Sequence, residues 1–187
     1  IIRYLSTEIR IFAYLQNLPL IASFFGIGLG MVLGRPPRSL QRAFPVVAAV
    51  LFLLIAFAAQ LNLTHLPFPE ADYVVWGGPK DLDIAPLLFA VRYFGVVLGV
   101  IALVVAFFVV LGGIVGERLA HLRPLPGYGA NLLGSLAGIL AFTLLAFWGL
   151  PPVVWVLVGF GLAVPFFWKQ RLALISFAVI IAATAVP

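Results

Sequence analysis

The chain has no cysteine, and among its 187 residues only one methionine, two histidines and six acids. Without cysteine there are no disulfides, no thiolate metal sites and no thiol nucleophile, although the absence says nothing about compartment. The two histidines, His65 and His121, fall in segments that read as loops on opposite sides of the molecule. They are placed neither to ligate a haem or chlorophyll within a bilayer nor to build a conventional zinc site, which needs further ligands. Charge is scarce as well. Charged residues make up 9% of the chain, against about 25% in an average soluble domain.

Apolar sequence fills the space that charge leaves. Hydrophobic residues account for 64% of the chain, and its mean hydropathy is +1.21. They gather into six blocks, Leu18–Leu33, Phe44–Leu61, Ala85–Val115, Ala130–Leu150, Val153–Trp168 and Leu172–Val186. A bilayer crossing takes roughly 20 apolar residues. These lengths predict an all-α, polytopic transmembrane bundle of about six spans, forming a single domain over 1–187. The first block is expected to recruit Phe12–Asn17, with Pro19 in its first turn or kinking it. The third is over-long, so it should tilt or begin outside the hydrocarbon. Arg3, Glu8 and Arg10 interrupt the first ten residues, which is not the pattern of a signal peptide. A start at Ile1 and an apolar block running to Pro187 imply a piece of a longer protein.

The net charge of +5 and sequence pI of about 10.1 would raise nucleic-acid binding in a soluble protein. Here the basic residues sit in the short connections between apolar blocks, where topogenic charges belong, and nucleic acid is not an expected partner. One side carries Arg35, Arg38, Arg42, Arg118, Arg123, Lys169 and Arg171; the other carries Arg3, Arg10, Lys80 and Arg92. Five of the six acids, Glu8, Glu70, Asp72, Asp81 and Asp83, join that second side. The positive-inside bias then puts connections 34–43, 116–129 and 169–171 in the cytoplasm. The one substantial outer loop, 62–84, holds Pro67, Pro69, Gly77, Gly78 and Pro79, which exclude a long helix or a central strand. It reads as an acidic solvated connection, or as a cap over a cavity between helices with Asp81 or Asp83 paired to Arg92.

Glycines recur every four residues at Gly26, Gly30 and Gly34, at Gly95 and Gly99, at Gly112 and Gly116, and at Gly134 and Gly138. Residues four apart share a helix face, and a face without side chains lets another backbone approach closely. The spacing therefore predicts tight helix packing at Gly26, Gly30, Gly34, Gly95, Gly99, Gly134 and Gly138. No apolar block carries a central Asp, Glu, Lys or Arg, the usual mark of a proton relay or ion pathway. The sequence offers no catalytic, cofactor-binding or metal-binding constellation. Asn131 and Ser135 share a face with Gly138, where a hydrogen bond between helices is the expected role. Trp148 and Trp155 flank Pro151-Pro152 and Trp168 marks the opposite interface, as belt aromatics do.

Two stretches resemble a known family. Ser6-Thr7-Glu8-Ile9-Arg10-Ile11-Phe12-Ala13-Tyr14 with Asn17-Leu18-Pro19 and the Gly26/Gly28/Gly30 run, and Tyr128–Ile139 followed by Pro151, Pro152 and Trp155, are similar to the membrane part of spermidine synthase-like membrane proteins. Those are bacterial chains that join a multi-span domain to an S-adenosylmethionine-type Rossmann domain. The resemblance covers under a third of the chain. It implies a multi-pass protein of the bacterial inner membrane, with aminopropyl- or methyltransfer confined to a domain outside this chain. No catalytic residue carries over, because no Rossmann unit or acidic active-site cluster is present. It also implies a span before Ile1, with the amphipathic 1–16 stretch at the outer surface. The leading expectation is a non-catalytic domain, embedded in the lipid bilayer, that anchors or assembles with other membrane subunits or with missing domains of its own chain. The alternatives are an accessory subunit of a respiratory or photosynthetic complex and a carrier for an apolar or weakly polar solute.

Overall fold

A computed structural model describes residues 1–34, 38–64, 84–168 and 170–185. Among these the chain is all helical, with eight helices and no strand. Two short helices, α1 (Ile2–Glu8) and α2 (Arg10–Tyr14), are separated by Ile9 in an extended conformation. Their apolar residues follow helical spacing, so Leu5, Ile9 and Phe12 are fully buried while Arg3, Thr7 and Arg10 stay exposed. The Arg10 N–H donates to the Thr64 carbonyl at 3.2 Å, which ties this segment across one end of the bundle.

Helix α3 (Asn17–Leu33) carries Pro19 in its first turn, where a missing N–H leaves no helical hydrogen bond unmade. Residues 12–14 do not extend it. They belong to α2, and Leu15 leaves helical geometry with φ −104° and ψ 37°, so the expected recruitment of Phe12–Asn17 stops at Asn17. Gly34 closes α3 with φ +65°, its N–H donating to the Met31 carbonyl. Helix α4 (Arg38–Ala56) starts inside the stretch expected to be a connection and accommodates Pro45 in its interior. Helix α5 (Ile84–Ala120) is continuous over 37 residues, about 56 Å at the helical rise of about 1.5 Å per residue.

The connection expected over 116–129 shrinks to residues 121–123. Helix α6 (Pro124–Phe147) begins immediately, with Pro124 at its first position behind an extended Arg123. Proline is suited to that position because its φ is preset and its absent N–H would find no helical partner. At the other end Gly149 adopts φ +62° and Leu150 donates back to the Leu145 carbonyl, a left-handed glycine stop. Pro151 and Pro152 then launch α7 (Pro152–Phe167), and α8 (Arg171–Ala185) follows.

Two helical stretches, Ala90–Ala120 and Pro124–Phe147, are long and apolar enough to cross a membrane. The other apolar helical stretches, Asn17–Leu33, the Ala43–Ala56 part of α4, Pro152–Phe167 and Arg171–Ala185, have 10–17 residues. The Leu15 break and the Gly34 stop bound α3, and the paired prolines set the start of α7.

The largest helix pair joins α3 to α5. Gly26 faces Val105 and Gly30 faces Val109, while Gly112 faces Ile27 and Gly116 faces Met31. Both sets of numbers rise together, so the two helices run parallel. The other core is aromatic. Phe44 of α4 stacks on Phe167 of α7 at 4.7 Å between ring centroids and meets Phe107 of α5 at 5.2 Å. Phe160 of α7 stacks on Phe177 of α8 at 4.4 Å. These rings clamp α4, α5, α7 and α8 together, in the offset and tilted arrangements that ring quadrupoles favour.

Candidate functional site

Three features stand out: a glycine seam, an uncovered helix and a cleft. At the seam, α3 and α5 approach until backbone touches backbone. A Cβ at Gly26 would lie 2.7 Å from the Val105 carbonyl oxygen, and one at Gly116 3.1 Å from the Met31 Cα. At Gly30 and Gly112 the space is tighter still, closed by the carbonyl oxygens of Val109 and Ile27 respectively. Only a hydrogen fits at Gly26, Gly30 and Gly112, while Gly116 is tightly but less severely confined. Ser23, buried on the same helix, is satisfied locally, its hydroxyl donating to the Leu20 carbonyl at 2.7 Å.

The other four-residue glycine repeats sit differently. Among the described residues, no atom beyond the local helix backbone stands within 4 Å of a Cβ position at Gly34, Gly95, Gly99, Gly134 or Gly138. Gly34 serves as the left-handed end of α3, while the others face outward. On α6 this openness is general: residues 130–144 are exposed throughout, and none of its span-length apolar window is buried. Asn131 and Ser135 are exposed with the rest, and neither makes a hydrogen bond to another helix among the described residues. Thr143 donates to the Ile139 carbonyl of its own helix at 2.8 Å. At about 100° per residue, Asn131, Ser135, Gly138 and Phe142 form one stripe. Phe142 meets Trp155 of α7 edge to face at 5.5 Å. Helices α6 and α7 thus touch near their shared turn, and the polar part of the stripe lies beyond that contact.

The cleft, about 720 Å³, lies between α4, α5 and α7, with α1 along its rim and Phe142 on one side. From α7 it takes Trp155, Val156, Gly159, Phe160 and Ala163, an i, i+1, i+4 pattern that puts one helix face on the cavity. Phe107, Phe108 and Leu111 supply the α5 wall, and Phe44 and Phe52 the α4 wall. Polar groups are confined to the rim. Arg3 holds its guanidinium 5.0 Å above the Trp155 ring, a cation–π contact. Ser6 donates to the Ile2 and Phe12 carbonyls, each at 3.0 Å, and Thr7 to Tyr4 at 2.8 Å. Burial and the Glu8 carboxylate raise the Tyr4 phenol above its usual pKa, so it stays neutral. The Trp155 indole N–H is buried and finds no hydrogen-bond partner among the described residues.

Arg92 is exposed on α5, and Asp81 and Asp83, its expected partners, lie outside the described residues, as does most of the 62–84 loop. Among the described residues no three His, Asp or Glu side chains gather as metal ligands would. The sequence reading names none of the cleft as a site. Trp155 reads there as an interfacial anchor, and the available signal was the small residues Gly159 and Ala163 one turn apart beneath it. No protein-family model matches this chain, and no curated protein or solved structure shows significant similarity to it.

Proposed function

We propose that this chain is a non-catalytic, multi-pass membrane domain that assembles with a partner transmembrane helix through α6. The observation that carries the reading is α6 itself. It is a span-length apolar helix with none of its most apolar window buried, yet its exposed face holds Asn131, Ser135, Gly134 and Gly138. Lipid has no use for an amide, whereas a neighbouring helix can hydrogen-bond to it and approach closely over the glycines. The wedge beyond the Phe142–Trp155 contact is where such a helix would enter.

About six crossings remain the proposed topology, with the bacterial inner membrane as its setting. The parallel course of α3 and α5 supports it, because two alternate spans must run the same way. Short helices are compatible with crossing where flanking residues snorkel or the bilayer thins. The family resemblance belongs to the same proposal and would place any aminopropyl- or methyltransfer chemistry in a domain outside these residues.

Purification of the protein from its native membrane in mild detergent tests the assembly reading. Wild type is expected to co-purify with a stoichiometric membrane partner, and Asn131→Val and Gly134→Leu to lose that partner while keeping the wild-type unfolding temperature. Retention of the same partner by both variants would refute the role of α6.

A further inference from the structure

Gly159 is the reverse of Gly30. Its missing side chain admits no helix, since a Cβ there would meet nothing within 4 Å; instead it widens the cleft along α7. One turn away, the buried Trp155 N–H points to a hydrogen-bond acceptor that the described residues do not supply. Arg3 is the one charged side chain on the lining among the described residues, and its guanidinium stands over the Trp155 ring. Ser6 and Thr7 already give their hydroxyl protons to backbone carbonyls. Among the described residues the rim therefore offers the Arg3 charge, with Tyr4 and Gln16 as further polar side chains, above a trough walled by phenylalanine and aliphatic side chains. A volume of about 720 Å³ is within the range of about 300–1,000 Å³ usual for small-molecule sites.

We propose that this cleft binds the single acyl chain of an anionic amphiphile, a long-chain carboxylate being its simplest member. The tail lies along Phe52, Gly159, Phe160 and Ala163, where burial of apolar surface and ring contacts hold it. The carboxylate accepts from the Arg3 guanidinium, a charge-assisted bond that favours an anion over an ester or alcohol. This goes beyond assembly through α6, because the cleft is walled chiefly by α4, α5 and α7.

The full chain in phosphatidylcholine nanodiscs, titrated with palmitate brominated along its tail, reads the site through tryptophan quenching. Wild type is expected to show a saturable quenching component above the non-saturating quenching of the exposed Trp148 and Trp168, and Trp155→Phe to lose that component. Arg3→Gln is expected to weaken palmitate binding at least fivefold and to leave brominated methyl palmitate unaffected. Gly159→Leu, which fills the trough, is expected to abolish the saturable component with no fall in unfolding temperature. Methyl palmitate binding as tightly as palmitate, or undiminished saturable quenching in Gly159→Leu, would overturn the proposal. So would absence of saturable wild-type quenching combined with loss of a co-purifying partner in Gly159→Leu, which would assign the trough to a protein helix. Gly134→Leu separates the two readings, since it should leave palmitate binding intact.

Discussion

A methyl group at Gly30 would have to displace the Val109 carbonyl, and one at Gly112 the Ile27 carbonyl. Neither neighbour is the free end of a flexible side chain, so the helices themselves must part. Overpacking of this kind typically costs about 1–3 kcal/mol, and Gly30→Ala should lower the unfolding temperature in detergent accordingly. Gly95→Ala is the control. Its added methyl meets nothing within 4 Å, and helix-interior Gly→Ala changes are favourable by about 0.5–1 kcal/mol, so thermal stability should hold or rise. Equal destabilisation by both substitutions would remove the distinction between the seam and the outward-facing glycines.

Among the elements, α4 depends on aromatic contacts where α3 depends on glycine. Phe44 is fully buried and touches rings from α5, α7 and α8. Truncating a buried phenylalanine typically costs about 3–5 kcal/mol, so Phe44→Ala should be among the most damaging single changes in the chain. Phe147→Ala, at an exposed position ending α6, should leave the melting curve in place. Much of this arrangement was legible in the sequence, but unevenly. The apolar blocks locate the helices, since hydrophobic runs of that length have few other forms. Their ends were harder to read: the extension of α6 back to Pro124 and the Leu15 break are set by local backbone geometry that composition does not record. Glycine spacing marks a face without saying what meets it. The same interval occurs at Gly26/Gly30 and at Gly134/Gly138, yet only the first pair touches another helix of this chain. The cleft was not legible, because its walls come from helices far apart in sequence and no one of them carries a recognisable pattern.

For the whole molecule, the missing cysteines become an experimental advantage, because any thiol introduced is the only one present. Gln60, beyond the end of α4, and His121, between α5 and α6, are both exposed. The proposed topology sets them on opposite faces of the membrane. In intact cells, Gln60→Cys should react with a membrane-impermeant maleimide, and His121→Cys should react only after permeabilisation. Labelling of both from outside would break the proposed alternation of spans.

The shared direction of α3 and α5 also dictates a schedule. Two neighbours in a simple hairpin can zip together as soon as the second is made, but helices that point the same way cannot. In the proposed topology the chain must first traverse, return through α4, and set out again before the Gly112 surface exists to receive Gly30. Until then the nascent α3 carries a naked strip of backbone with no permanent companion, so the earliest helix of the seam is finished last. A translational stall between α4 and α5 would therefore strand it, making that interval the window in which this protein is most open to a wrong neighbour.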